Sequence, residues 1–301
     1  MASVYHPGEL SVQERAGVRE MAARIGRSIG TTIPPAAWNF LRSQPLVVVG
    51  SVDARQRVWA SLLTGAPGFL HAVDEHTVRI NARPATGDPL GNNLAANGKV
   101  GMIAIEFATR RRMRLNGRAE VGADGAITIN AQQVYSNCPK YIQARRWRGR
   151  TSESDVTPVV QRQSTLTQAQ QRWIREADTF FIASHHLEGG TDASHRGGHP
   201  GFVRVLNDHR LAWPDYFGNT MFQTLGNITV NPQAGLLFID FKSGRTLQLT
   251  GRARILWDRE HIAEFAGAER LVEFDIDEAV EIAGANSLEW RFLDYSPENP
   301  A

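Results

Sequence analysis

The chain repeats itself. "NGKVGMIAIEF" at 97–107 returns as "NPQAGLLFIDF" at 231–241, and "RLNGRAEV" at 114–121 returns as "QLTGRARI" at 248–255. Both pairs stand 134 positions apart (231 less 97, 248 less 114). Asn97, Gly101 and Phe107 align with Asn231, Gly235 and Phe241, and Gly117, Arg118 and Ala119 align with Gly251, Arg252 and Ala253. Upstream, "APGFL" at 66–70 meets "HPGFV" at 199–203, one residue out of step. Motifs in one order at a nearly constant offset imply a duplicated domain, since solenoid repeats are only about 20–50 residues long.

Each copy has the same layout. A β-rich run opens it ("PLVVVGSV" at 45–52, "DTFFIASH" at 178–185), followed by a Gly/Pro loop and a hairpin with Asp-Glu-His or Asn-Asp-His at its tip. A polar loop and short helix come next, at 87–97 and 218–228. Two long strands close the copy: 99–107 with 111–121, and 233–241 with 245–257, the latter turning at Gly244. Many strands around one helix predict a mainly β (α+β) fold, a barrel-like β domain in each copy with accessory helices. The expected organisation is an N-terminal helical segment 1–44, a first repeat 45–144, a helical linker 145–177 and a second repeat 178–301. Residues 10–28 carry helical spacing, with Ser11 as the N-cap. A second helix is expected over 34–44, a short helical stretch within 135–145, and an irregular Pro/Asn tail.

Composition excludes several classes. A net charge of +2 on 301 residues is weak support for a nucleic-acid partner, which requires clustered charge. Thirty arginines stand against three lysines, a ratio that a GC-rich genome produces, and a lysine-based mechanism has few candidates. One cysteine, Cys138, allows no disulfide within the chain and no Cys-ligated zinc or iron–sulfur site; beside Pro139 it reads as a packed thiol. The start, "MASVYHPGEL", lacks the features of a secretory signal, and no apolar run spans a bilayer. The expectation is a cytoplasmic protein with no membrane partner.

The stretch "SHHLEGGTDASHRGGHPGF" at 184–202 sets Asp192, Ser194, His195 and Arg196 beside a Gly-Gly pair. It is either a surface hairpin or an anion cradle. As a cradle, Ser194 offers a hydroxyl, Arg196 a planar fork, and Gly197 and Gly198 close approach of backbone N–H groups. The loop "PDYFGNTMFQTLGN" at 214–227 adds Asn219, Thr220 and Thr224 near a helix start, as anion donors or as a turn and cap. The first copy has "LTGAPGF" without Ser-x-Arg, which suits one site shared by two halves. "TRRRMRLNG" at 109–117 places Arg110, Arg112 and Arg114 on one strand face, Arg111 and Met113 on the other. That face meets an anion, or the segment is a solvated edge strand. His195 and His199 have ligand spacing but lie in a Gly-rich stretch, so no metal is expected. G-x-S-x-G, P-loop and G-x-G-x-x-G motifs do not occur. Trp290 and Arg291 pack on a neighbouring ring, or belong to a docking C-terminal strand.

These residues resemble the pyridoxamine 5'-phosphate oxidase-like, FMN-binding split-barrel family, and within it a tandem-repeat branch. The motifs are "HPGELSVQERAGV" (6–18), "GDPL" (87–90), "TRRRMRLNG", "NCPKYIQAR" (137–145), "DASHRGGHPGFVRV" (192–205), "GNTMFQTLGN" (218–227) and "YSPENP" (295–300), spanning nearly the whole chain. The resemblance implies a tandem split β-barrel whose two repeats pack as a pseudo-dimer, with FMN at the seam. It assigns the flavin phosphate to Ser194, Arg196, Asn219 and Thr220. Trp290 and Arg291 take the place of the family's aromatic–arginine pair, and Arg110, Arg111 and Arg112 reach the flavin from the other repeat. It further implies an FMN-dependent oxidoreductase with a small-molecule substrate, an electron donor such as a separate NAD(P)H or ferredoxin-type reductase, and a homodimer. The alternatives are a non-catalytic flavin-binding module, or a haem or deazaflavin protein of the same fold, with haem ligated by His185, His186, His195 or His199. The family's pyridoxal phosphate-forming oxidases carry a lysine where "PGFVRVLND" has only Arg204, so the likeness speaks for flavin binding more than for that reaction.

Overall fold

A computed structural model describes residues 3–150 and 157–301. Three helices come first: α1 (Pro7–Arg15), α2 (Arg19–Gly26) and α3 (Pro35–Ser43). The first repeat follows as β1 (Leu46–Val52), β2 (Val58–Thr64), β3 (Leu70–Ala72), β4 (Thr77–Ile80), α4 (Leu90–Ala96), β5 (Lys99–Glu106), β6 (Arg111–Val121) and β7 (Ile127–Ser136). Between the repeats run β8 (Ala144–Arg150), β9 (Val159–Gln163) and α5 (Gln168–Glu176). The second repeat is β10 (Thr179–His186), β11 (Gly190–Gly197), β12 (Arg204–Asn207), β13 (Arg210–Tyr216), α6 (Gln223–Val230), β14 (Gln233–Ile239), β15 (Thr246–Leu256), α7 (Arg259–Ala263) and β16 (Ala268–Ala283). The last strand is β17 (Leu288–Asp294).

Both repeats fold alike. Their antiparallel sheets run β2-β1-β5-β6-β7-β4-β3 and β11-β10-β14-β15-β16-β13-β12, the same order position for position. The duplication reaches single hydrogen bonds. Asn93 on α4 donates to Ser51 Oγ at 2.9 Å, and Asn227 on α6 donates to Ser184 Oγ at 3.0 Å. Each repeat is a split β-barrel, with the helices as accessories.

Three apolar clusters follow from strand alternation. Val47, Val49, Leu63, Met102, Met113 and Leu115 fill the first barrel, and Phe180, Ile182, Leu236, Leu249 and Phe274 fill the second. The residues between them face the other repeat: Val48, Ile103 and Phe107 meet Phe181, Ala183 and Leu237. Strands β1 and β10 are therefore buried at every position, which is why they read as unbroken apolar runs. Close approach of the sheets needs glycine at one matched pair. A Cβ on Gly101 would lie 2.5 Å from Asp192 Cα, and one on Gly235 would lie 2.6 Å from Trp59 Cα.

Several expected elements differ. The helix over 10–28 is two helices, broken at Gly17 with φ 69°. Ser11 lies inside α1 and does not cap it. His6 is the cap and closes a capping box with Glu9, because Pro7 sets the first helical residue. No helix forms within 135–145; Tyr141 there has φ 64°, which ends regular structure. The segment 145–177 is not simply a helical linker, since β8 pairs with β17 and β9 with β16. The tail carries β17 before its Pro/Asn end. Residues 190–197 are a strand, and β6 lies between β5 and β7 rather than at an edge. Among the described residues, no helix is long and apolar enough to cross a membrane.

Candidate functional site

A cleft with a volume of about 100 Å³ opens where β6 of the first repeat meets β11, β13 and the start of α6 in the second. Its floor comes from alternation along β11. Asp192, Ser194 and Arg196 pair across the hairpin with Ser184, Ile182 and Phe180, so they share one face, while Ala193 and His195 take the other. The stretch is a hairpin, buried rather than at the surface, and Ser194 and Arg196 on its polar face line the cleft. Gly198 supplies no free backbone donor, since its N–H bonds the carbonyl of Asp178 at 3.1 Å. Gly197 is small because a Cβ would lie 2.1 Å from the Tyr141 carbonyl oxygen.

The opposite wall is the segment before α6. Thr220 (φ 60°) and Phe222 (φ 59°) both hold left-handed backbone, which costs about 1–3 kcal/mol for each such residue. The segment is held from outside. Asn219 Oδ1 accepts from the Met221 N–H at 3.1 Å, and Gln13 on α1 donates to the Met221 carbonyl at 3.0 Å. Helix α1 can reach that far because it crosses α6 at Gly8 and Gly226; a Cβ on either would lie within 2.5 Å of the other helix.

Charge is concentrated here. Arg114 forms an ion pair with Asp192, whose carboxylate also accepts from Tyr135 Oη at 3.0 Å and Thr224 Oγ1 at 3.3 Å. Arg196 donates to Ser194 Oγ at 2.8 Å and stands 3.8 Å from Asp215, which Arg270 also approaches at 3.3 Å. Arg112 touches only His195 Nδ1, at 3.2 Å, and has no carboxylate partner among the described residues. Burial, and then the guanidinium groups of Arg114 and Arg196, push Arg112 down to about 9; it stays a cation at neutral pH. Burial, and then the guanidinium groups of Arg112, Arg196 and Arg145, hold His195 well below the usual histidine value, so it is neutral. Buried polar atoms without a partner gather in the cleft lining: Arg112 Nε, Arg114 Nε, His195 Nε2, Thr220 Oγ1 and Gln223 Nε2. Buried donors without partners are costly.

Of the residues singled out in the sequence, Ser194, Arg196, Gly197, Asn219, Thr220, Thr224 and Arg112 line this cleft. Arg110, Arg111, Trp290 and Arg291 do not. Arg110 sits in the β5–β6 turn with φ 55° and pairs with Asp294, while Arg111 points outward to Glu106 at 2.6 Å. Trp290 packs edge-on against Phe107 and Phe241 in the core between the repeats, and Arg291 is exposed on β17. Sequence reasoning missed Gln223, Asp215 and the Tyr141–Tyr216 ring pair at 5.0 Å. No spacing in the sequence marks these residues, because their place in the cleft depends on elements far apart in the chain.

A family model described as pyridoxamine 5'-phosphate oxidase matches residues 33–158 and again 166–289. The chain belongs to this family. The two matches to the oxidase family fall on the two repeats. No curated protein matches the chain. Solved structures with partial likeness include HupZ of Group A Streptococcus, at 12% identity and TM-score 0.31 over 37% of this chain and 90% of that one. A Lactobacillus delbrueckii chain described as a candidate pyridoxamine 5'-phosphate oxidase gives 18% identity and TM-score 0.32, over 39% and 94%. A Clostridium acetobutylicum protein related to general stress protein 26, of the pyridoxinephosphate oxidase family, gives 11% and 0.31, over 42% and 92%.

Proposed function

We propose that this protein is an FMN-binding oxidoreductase that holds the flavin phosphate in the cleft between its repeats. The observation that carries the reading is the guanidinium of Arg112, with no carboxylate partner among the described residues and set among buried donors without partners. Proteins of this family generally bind flavin. The donor set fits such a group: Arg112 and Arg196 match a phosphate in charge and planar geometry, and Ser194, Thr220 and Gln223 supply neutral donors. Tyr141 and Tyr216 offer an aromatic wall beside them. FMN, when bound, supplies hydride chemistry; the chain's part is to grip, orient and exclude water. His195, held neutral and accepting from Arg112 at Nδ1, carries its proton on Nε2 and can donate one hydrogen bond without adding charge. The electron donor of this reading is reduced nicotinamide, through a separate reductase.

The test is the visible spectrum of the purified protein, followed by FMN titration of Arg112→Ala and Arg196→Ala. Flavin bands in the wild type, with binding weakened at least about tenfold in each variant, are expected. Wild-type protein that neither carries flavin nor takes it up would sink the reading. A Soret band would favour haem instead.

A further inference from the structure

Two repeats with one topology bring two symmetry-related places where a ligand could sit. We infer that the chain binds one flavin and not two, because the duplicate of the cleft is closed by the carboxyl group of Asp88. The inference rests on reading the first cleft as a flavin site.

The repeat offset identifies the duplicate. Arg112 and Arg114 on β6 correspond to Thr246 and Gln248 on β15, each 134 positions on (246 less 112, 248 less 114). Strand pairing identifies the rest: Ser194 pairs with Ile182 as Ser61 pairs with Val49, so Arg196 corresponds to Leu63 and Asp192 to Trp59. The cross-repeat contact is preserved while its charge is lost. Where Arg114 reaches over to Asp192 on β11, Gln248 reaches over to β2 and donates to the Ala60 carbonyl at 2.9 Å.

Asp88 fills what remains. One of its oxygens accepts from Ser61 Oγ at 2.7 Å and from the Leu90 N–H at 2.8 Å; the other accepts from Gln248 Nε2 at 3.1 Å. In the second repeat the matching position, 134 further on, is Phe222, whose backbone turns left-handed and leaves the cleft open. The groups hydrogen-bonded to the Asp88 carboxyl are all neutral, and the nearby cation, Arg162, is engaged by the Gly87 carbonyl at 2.7 Å and by Glu278 at 2.9 Å. Burial drives Asp88 up to about 6, so this place barely supports one negative charge, and a phosphate carries more. The cleft has the reverse balance, with a cation in surplus.

The closing experiment counts flavin released per chain from the FMN-saturated full-length protein, from an Arg112→Gln/Arg196→Gln double variant and from Asp88→Asn. One, none and one are expected. Two per chain in the wild type overturns the inference, as does flavin retained by the arginine variant and lost from Asp88→Asn. If the wild type takes no flavin at all, the functional reading falls, and calorimetric titration of inorganic pyrophosphate into the same three proteins counts the anion sites instead. One, none and one sites would still uphold the asymmetry, and two equivalent sites in the wild type would overturn it. Circular dichroism of each variant separates lost binding from lost fold.

Discussion

Arg112 is the residue on which the cleft turns, and its neighbours explain why it stays free. Arg114 has Asp192, Arg111 has Glu106, and Arg110 has Asp294. Removing Asp192 would leave Arg114 buried and uncompensated, so Asp192→Asn should lower stability by about 3–5 kcal/mol in urea unfolding. Thr220 makes the opposite prediction. It is β-branched at φ 60° and its hydroxyl has no partner, so Thr220→Gly should raise stability by about 1 kcal/mol while weakening FMN binding. A variant that gained nothing in melting temperature would show that the backbone there is not strained. Glu9 gives a pH prediction. Burial, with Asp192 nearby, raises it to about 8 from the ordinary glutamate value of 4.5. Its folded form keeps a proton that the unfolded chain has lost, so its contribution is full below pH 4.5 and is lost as pH rises to about 8. Glu9→Gln should therefore gain stability relative to the wild type across that window, seen as diverging urea midpoints. Parallel midpoints would rule this out.

At the scale of elements, the crossing of the two sheets depends on close backbone contact. Gly101 on β5 lies against β11, and its counterpart Gly235 on β14 lies against β2. A side chain at either would meet backbone, which cannot swing aside, so Gly101→Val and Gly235→Val should each cost more than about 3 kcal/mol. The two positions align in the sequence as well, but a repeated glycine there reads equally as a turn or a bulge. The same limit applied to 190–197. The sequence offered a surface hairpin or an anion cradle, whereas pairing with β10 over eight residues buries it as a strand. Strands β7 and β16 escaped the sequence reading although residues 127–131 and 272–277 alternate apolar and polar; they pair with β6 and β15. Helix α1 shows the converse, where local chemistry misled. Ser11 is a good cap by type, yet Pro7 and the His6–Glu9 box start the helix earlier.

For the whole molecule, the core between the repeats draws on both halves, from Val48, Ile103 and Phe107 on one side and Phe181, Ala183 and Leu237 on the other. A fragment ending at residue 144 would expose that face. It should aggregate or self-associate, which size-exclusion chromatography would show; a stable monomer would mean that each barrel is self-sufficient. The same face-to-face packing makes the cleft composite, with Arg112 from one repeat and Ser194 and Arg196 from the other. Duplication within one chain frees the two symmetry-related places to diverge, and Asp88 against Arg112 is the product of that freedom.

The sequence alone determined the duplication, the strand-rich layout of each copy, the family and the candidate donors Ser194, Arg196, Thr220 and Arg112. Each of these is written in local order or in spacing within one strand. Only the tertiary structure decided which arginine of "TRRRMR" is unpaired, that Trp290 packs in a core, and that Asp88 closes the second place. Those outcomes depend on partners far away in the chain, brought within hydrogen-bonding distance by the packing of one repeat on the other. Periodicity along a strand carries no record of what will lie across from it.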